Sequence, residues 1–373
     1  MKRLIALPLT VLVVFFAVAV GQEGPKRDAG ESVGRSRKKG GEEEQLKIPS
    51  RMKKGQPVEG AVEGVASFRT ETNIVNVDVA VIDNRGRPIP NIPRGNFRIL
   101  EDNVPQQISN YGMGEAPMTI CMVIEFSNAF QSYWSEGWYE TLTAAYGFLE
   151  TLKQEDYVAV IAFDIRPEIL SDFSTDKRKA YEAMQRLRIA AFSESNMYDA
   201  LVDTADRMSE IEGRKAIVYI GSGMDTFSKL TFDKTRKALQ NASVPIYAIG
   251  IMQALREWMD ARGYMGAIQR MDFLQADNQL RTFSKETGGQ AFLPRFFGEF
   301  PGIFRAVHEA LRNQYSLAYS PSNTAKDGKF RKIKVELVNP ETNQPLRITD
   351  EKGKPVKYSV VAKSGYTAPR EVE

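Results

Sequence analysis

Between Met118 and Arg312 the sequence alternates apolar runs with segments of helical spacing, and this alternation restricts the fold more than any other feature. Four of the runs are continuously apolar, which is typical of strands covered on both faces of a parallel sheet. These predicted strands are residues 119–125, 157–163, 215–220 and 244–250. The pattern therefore predicts an α/β fold with a doubly wound, mostly parallel sheet.

Helical spacing fills the stretches between these strands, and one more short strand is predicted at 289–293. The predicted helices are residues 138–152, 177–187, 199–211, 232–241, 280–287 and 302–312. The three aspartates of the segment after the second strand, Asp164, Asp172 and Asp176, are expected in a solvated loop. Residues 253–277 form an insert with several methionines and a short predicted amphipathic helix. This insert either forms part of a binding face or packs as a lid on the sheet edge.

Short strands with alternating polarity flank the α/β region on both sides. They are predicted at 74–82, 97–103 and 107–111, and again at 314–319, 331–338 and 358–362. We therefore predict two β segments, 66–116 and 313–369, that pair into one small β domain. The α/β domain, 117–312, would be inserted between them.

The N-terminus has the three parts of a secretory signal peptide. Lys2 and Arg3 precede an apolar run from residue 4 to 20, and Ala19 and Gly21 provide small residues for cleavage. We expect a signal peptide at 1–21 and an exported protein that is periplasmic, part of the cell envelope or secreted. The alternative is an uncleaved membrane anchor, because the run is near the lower length for spanning a bilayer. Residues 22–65 are rich in glycine and charge and are predicted to form a disordered tether.

Charge and residue composition argue against several classes of function. The formal net charge is only +3, so nucleic acid is not an expected partner. Cys121 is the one cysteine and His308 the one histidine, which excludes an intrachain disulfide and a site with several histidines. Ser222 lies between two glycines, but the sequence offers it no histidine base, since His308 falls on a distant predicted helix. No catalytic constellation is found, and the chain is predicted not to be an enzyme.

Several stretches in this order resemble the von Willebrand factor A domain and, beyond it, the acidobacterial-type VWFA-related family of secreted bacterial proteins. The resemblance covers about residues 66–369. The stretches are Val79-Ala-Val-Ile-Asp83, Asn96-Phe-Arg-Ile-Leu-Glu-Asp102, Tyr198-Asp-Ala-Leu201, Arg214-Lys-Ala-Ile-Val218, Gly223-Met-Asp-Thr226, Tyr315-Ser-Leu-Ala-Tyr-Ser-Pro321 and Ser364-Gly-Tyr-Thr-Ala-Pro369. This resemblance implies a Rossmann-like A domain that binds other proteins, often through a divalent cation at the carboxyl ends of the strands.

The family's cation site uses Asp-x-Ser-x-Ser after the first strand, a threonine from a second loop and an aspartate from a third. Here Glu125 stands in place of the first aspartate, Ser127 matches, and Ser195 and Ser222 replace the threonine and the third-loop aspartate. Asp225 is a candidate substitute. Because Mg²⁺ requires near-ideal geometry and usually one or two carboxylates, these changes predict a degenerate, metal-free site. The alternative is a site that still binds Mg²⁺ or Mn²⁺.

Aromatic side chains near these loops are the predicted partner contacts. Phe126, Phe130 and Trp134 follow the first strand, and Trp258 lies in the insert. For the first three, burial against the following helix is the alternative. The function predicted overall is an exported, non-enzymatic protein-binding or adhesion module, with membrane contact only through an uncleaved signal segment. The alternative is a metal-independent structural scaffold or assembly component of an envelope complex, with an envelope protein as its partner.

Overall fold

The computed structural model describes residues 74–114, 116–127, 135–187, 192–264, 266–350 and 352–370. The predicted signal peptide, the predicted tether and two of the predicted contact residues, Phe130 and Trp134, lie outside these ranges. Within the described ranges, no helix combines the length and the apolar character needed to cross a membrane.

The described chain contains strands in two flanking groups and in a central α/β unit. The strands are β1 (Val75–Asp83), β2 (Phe97–Glu101), β3 (Val104–Gln106), β4 (Ile108–Met113), β5 (Met118–Glu125), β6 (Tyr157–Phe163), β7 (Pro167–Ser174), β8 (Arg214–Gly221), β9 (Ile246–Gly250), β10 (Ala291–Phe292), β11 (Tyr315–Tyr319), β12 (Phe330–Leu337), β13 (Ile348–Thr349), β14 (Pro355–Val356), β15 (Tyr358–Ala362) and β16 (Gly365–Thr367). The α-helices are α1 (Ser135–Thr151), α2 (Lys177–Gln185), α3 (Met197–Ser209), α4 (Phe232–Ala242), α5 (Met252–Ala261), α6 (Ala267–Thr287) and α7 (Phe300–Arg312).

The central sheet has six strands in the order β10-β9-β8-β5-β6-β7. All neighbours are parallel except β7, which runs antiparallel to β6. Numbered within this sheet, the order is 3-2-1-4-5-6, which is that of a doubly wound fold. The predicted α/β class with a mostly parallel sheet is confirmed, and the order agrees with the von Willebrand factor A-like fold that the sequence resembles.

The two faces of the sheet are covered by different helices, as the continuously apolar strands require. Along β5, Met122 and Ile124 face a core completed mainly by α1, α2 and α7. Cys121 and Val123 face the opposite core, completed by α3, α4 and α6. Burial of the Cys121 side chain, which is 1% exposed, raises its pKa, as expected for an unreactive thiol.

Two sequence-based predictions in this unit were wrong. The expected solvated loop contains strand β7, with Asp172 inside the strand and Asp176 capping α2 by accepting from the amide of Arg178. As an edge strand, β7 is only half covered and therefore lacks the continuous apolar run of its neighbours. Helix α6 begins at Ala267 rather than near residue 280, because its first half exposes Met271 and Leu274 and thus lacks a clear polar face.

The flanking segments form two four-stranded sheets, β15-β1-β11-β4 and β16-β12-β2-β3. Both sheets combine strands from before and after the α/β unit, which alternate in the first sheet and meet at the β12–β2 pair in the second. β1, for example, pairs with β11 from Val75↔Tyr319 to Val79↔Tyr315. The side chains between the sheets include Val77, Ile99 and Tyr319, each 0% exposed. This β sandwich joins the central unit through the β4–β5 and α7–β11 connections, at the amino edge of the parallel sheet, so the carboxyl edge lies at its opposite end.

Candidate functional site

Glu125, the last residue of β5, is the centre of the carboxyl edge. Its side chain is buried, and Oε2 accepts hydrogen bonds from the amide and hydroxyl of Ser222 at 2.6 and 2.7 Å. The Tyr219 hydroxyl lies 3.3 Å from the same oxygen, and Ser127 Oγ donates to Oε1 at 3.2 Å. The extra methylene of glutamate, compared with aspartate, thus lets its carboxylate bridge the ends of β5 and β8.

The other predicted ligands take different positions. Ser195 is 3% exposed, and its hydroxyl lies beside the Glu125 carboxylate and favours its charged form. It lies outside hydrogen-bonding geometry to any acceptor in the described part of the chain. Asp225 accepts hydrogen bonds from the amide of Tyr198 and the hydroxyl of Ser228, at 3.0 and 2.5 Å. Its carboxylate therefore caps the start of α3 instead of substituting for the lost third-loop aspartate.

Burial dominates the electrostatics of this centre. Desolvation raises the pKa of Glu125, while its hydrogen bonds with Ser222 and Ser127 and the nearby Ser195 hydroxyl oppose that rise. Desolvation also raises the pKa of Tyr219 well above its ordinary value, reinforced by the neighbouring Glu125 carboxylate. Glu125 is thus a buried acid held by neutral donors.

The space around the Glu125 side chain is also restricted. A β-carbon added to Gly221 would lie 2.4 Å from the Tyr219 hydroxyl and 2.7 Å from Glu125 Oε2. Glycine at this position allows β8 to approach the carboxylate, which then closes the gap between the strands.

The residues present do not fit a divalent cation in this arrangement. Ser127 and Ser222 donate their hydroxyl protons to Glu125, whereas a metal ligand would direct an oxygen lone pair at the ion. Glu125 is the only carboxylate in this cluster of described residues, and no group of three or more acidic, histidine or cysteine side chains in the described ranges could hold a metal ion. The Glu125 carboxylate thus accepts hydrogen bonds from the hydroxyl groups that would otherwise be ligands of an ion.

Exposed aromatic side chains surround this closed centre. Tyr139 lies at the start of α1, Phe192 in the loop before α3, Phe227 after β8 and Phe296 after β10, all at the carboxyl edge. With Trp258 and Tyr264 of the α5–α6 hairpin, they are between 39% and 73% exposed. Of the predicted contacts, Trp258 belongs to this set, while Phe126 is half-buried against the core. Tyr264 lies in the insert that the sequence predicts as part of a binding face or as a lid. The other four were not predicted as contacts.

Trp258 lies on the α5–α6 hairpin, which packs on the core through one face of α5. The inner face of α5 is buried through Met252, Ala254 and Leu255, so the helix packs on the core as the lid alternative proposed. Its outer face presents Trp258, with the Arg262 guanidinium 4.2 Å from the ring centroid and the Tyr264 ring 6.2 Å away. The hairpin therefore combines a packed inner face with an exposed aromatic outer face.

Three ion pairs between described residues hold this hairpin in place, one of them the exposed Arg270–Asp260 pair between α6 and α5. Arg256 pairs with Asp277 at 3.1 Å, joining α5 to α6, and Arg295 pairs with Glu257 at 3.1 Å, joining α5 to the loop before α7. The Arg256–Asp277 pair is largely buried, so it constrains the hairpin more than a surface pair would. Trp258 is thus presented from a supported element.

No protein-family model matches this chain, and no curated protein matches it. Among solved structures, proximal thread matrix protein 1 from the mussel byssus is 13% identical over 57% of this chain and 51% of that chain, with a TM-score of 0.42. The vWF domain of the type V pili tip protein Mfa5 from Porphyromonas gingivalis is 11% identical over 53% and 95%, with a TM-score of 0.41. A von Willebrand factor type A protein from Catenulispora acidiphila is 11% identical over 82% and 76%, with a TM-score of 0.41. The chain spans about half the length of the mussel protein.

The free energy of unfolding is expected to depend on pH through Glu125. Its pKa is raised above 4.5 in the folded chain, so the folded state binds this proton more tightly than the unfolded state does. This contribution to stability is complete at low pH and is lost as pH rises from 4.5 through the folded pKa. A Glu125→Gln variant lacks this component, so its stability relative to wild type should increase with pH.

Urea unfolding at several pH values between 4 and 8 measures this difference. Glu182→Gln, at an exposed glutamate, is the control and should follow wild type throughout. A constant difference between wild type and Glu125→Gln across this range would show that Glu125 does not titrate in the folded state with a raised pKa.

Proposed function

We propose that this chain is an exported, non-enzymatic protein-binding module that holds its partner at the carboxyl edge of the central sheet without a cation. The observation that carries the proposal is the distribution of exposed aromatics. Of eight exposed aromatic side chains in the described ranges, six lie at this edge. The other two, Tyr181 and Phe330, lie on α2 and on the β sandwich.

Exposed aromatics gathered on one side of a domain favour a binding function over a purely structural role for that edge. Tryptophan, tyrosine and arginine are the residues most enriched where binding energy is concentrated. Trp258, Tyr264 and Arg262 supply all three types within one short segment. In this proposal, the hydrogen-bonded cluster around Glu125 fixes the ends of β5 and β8 beneath the aromatic side chains.

Export and absence of catalysis are parts of this proposal that come from the sequence. The charged start, apolar run and small residues of the N-terminus support secretion, and the compartment reached after export is left open. At the carboxyl edge, the Ser222 hydroxyl donates to Glu125, as a nucleophile would to its base, but Ser222 is only 4% exposed. Burial of this hydroxyl, which also accepts from the amide of Met224, supports a structural role over attack on a substrate. In this proposal, Ser222 therefore has a structural role, as part of the hydrogen-bonded centre around Glu125.

Capture of partners from envelope extract tests this function. The mature chain serves as bait in wild-type form, as Trp258→Ala and Tyr264→Ala, and as the controls Tyr181→Ala and Phe330→Ala. Truncation of an aromatic hot spot costs about 2 kcal/mol or more, so each edge variant should lose partner affinity about 30-fold while the controls bind like wild type. EDTA should leave capture unchanged.

Two results would contradict the proposal. Equal losses in edge and control variants would remove the special role of the carboxyl edge. Permanent incorporation into a large complex, independent of these aromatics, would support the structural scaffold instead. Thermal melts of each variant separate loss of binding from loss of folding.

A further inference from the structure

Two arginines meet at the amino edge of the central sheet, opposite the proposed partner surface. Arg214 opens β8, and its Nη2 donates to the carbonyl oxygen of Leu311 in α7. Arg312 is the last residue of α7, and its Nη2 donates to Asp156 Oδ2 beside the start of β6. The two arginines are close enough for each to oppose the other's charge, which contributes to lowering the pKa of Arg214 after the larger effect of burial.

Each of these side chains carries buried donors that the described residues leave unused. Nε and Nη1 of Arg214, and Nε and Nη1 of Arg312, are buried and have no hydrogen-bond partner within the described ranges. A buried donor without an acceptor costs about 1–3 kcal/mol, and more when the group is charged. Such a group in a native protein is normally satisfied by a polar atom, a water molecule or an ion.

Charge is also unbalanced at this seam, by which we mean the place where the start of β8, the end of α7 and the start of β6 meet. Asp156 is the acid paired with Arg312, and its two oxygens already accept from the amides of Met118 and Lys153. Lys177 donates to the Asp156 backbone carbonyl, and its own charge also faces Glu155 and Asp176, so neither of these acids is left to neutralise the arginines. A buried excess of cations is costly unless an anion compensates it.

The second acid near Arg214 does not restore the balance. Asp78 of β1 accepts from the Ser316 hydroxyl at 2.7 Å, and it also faces Lys215 and Lys363. Burial and the neighbouring Lys215 lower the pKa of Lys363 to about 8, with Asp78 opposing the shift. Asp78 also favours the charged form of Arg214, so its single negative charge is shared among Arg214, Lys215 and Lys363.

We propose that Arg214 and Arg312 bind a small oxyanion of the phosphate, sulfate or carboxylate class at this seam. Guanidinium groups present several N–H donors in a fixed plane that matches oxyanion geometry. Bound there, the anion links β8 and α7 where the central unit joins the β sandwich. Gly114 of the β4–β5 connection lies against the Arg312 carbonyl, where an added β-carbon would approach to 2.2 Å, so this connection closes one side of the seam.

Thermal melts of the full chain in oxyanion-free buffer test the site, with phosphate, sulfate or acetate added at constant ionic strength against chloride. The wild type should gain about 2 °C or more in melting temperature at an oxyanion concentration about five times Kd. Arg214→Gln should lose this increment. Arg207→Gln, which removes a surface arginine paired with Asp203, should retain it. Isothermal titration with phosphate should show saturable binding to the wild type and to Arg207→Gln only.

Glu115 lies outside the described residues, next to Gly114, and its carboxylate is the competing source of the same chemistry. A Glu115→Gln variant distinguishes the two. Oxyanion stabilisation of the wild type, retained in Glu115→Gln, supports the proposed site. Stabilisation that arises only in Glu115→Gln would overturn it, because the chain would then supply its own anion. Equal melts in all buffers for both proteins would also overturn it, and would leave water as the partner of these donors.

Discussion

Replacing Asp156 by alanine is expected to lower the free energy of unfolding by about 3–5 kcal/mol, since it removes one partner of a buried ion pair. The Asp156 side chain is 0% exposed and that of Arg312 is 12% exposed. Without Asp156, Arg312 keeps a buried charge with no paired acid, and the amides of Met118 and Lys153 lose their acceptors. The loss should therefore exceed what the ion pair alone contributes.

Urea unfolding of Asp156→Ala measures this loss, and Asp203→Ala provides a matched control. Asp203 also pairs with an arginine, Arg207 at 3.1 Å, but both side chains are about 40% exposed and the pair spans one helical turn. Such a pair contributes about 0.3–0.5 kcal/mol. If both variants lost less than 1 kcal/mol, Asp156 would not be the structural anchor of the amino edge.

The sequence was most informative where burial is complete. The strands at 119–125, 157–163 and 215–220 were predictable because helices cover both faces of β5, β6 and β8, which makes each run continuously apolar. β7 was not predictable in this way. It pairs with β6 on one side only, and its register is interrupted twice, so its sequence carries neither a continuous nor a regular alternating pattern.

In the candidate site, too, the residues that could be predicted follow a local sequence pattern, and the roles that could not be predicted depend on tertiary contacts. Glu125, Ser127 and Ser222 could be selected because each follows a recognisable strand, and parallel strands bring their carboxyl ends together. The capping role of Asp225 could not be derived, because the amide that it caps, that of Tyr198, lies at the start of α3, 27 residues earlier in the chain. Most of the exposed aromatic set, apart from the insert with Trp258, was equally hard to predict, since exposure depends on how far each loop extends beyond the sheet.

A double substitution, Glu125→Asp with Ser222→Asp, is expected to create a binding site for Mg²⁺ that the wild type lacks. Shortening Glu125 by one methylene withdraws its carboxylate from the Ser222 position, where Oε2 now accepts from both the amide and the hydroxyl. Aspartate at 222 then supplies the second carboxylate, and the hydroxyls of Ser127 and Ser195 become available as ligands. At a Mg²⁺ concentration about 100 times Kd, binding should stabilise this variant by about 2.7 kcal/mol.

The single variants separate this mechanism from a simple gain of charge. Ser222→Asp alone places a second carboxylate against Glu125, which repels it in a buried setting, so this variant should be less stable than wild type without Mg²⁺. Glu125→Asp alone leaves one carboxylate and should bind the ion weakly. Thermal melts with Mg²⁺ or EDTA, together with isothermal titration, distinguish the four proteins. Equal Mg²⁺ binding by wild type and the double variant would mean that the Glu125 carboxylate already coordinates a cation, and partner capture would then be expected to respond to EDTA.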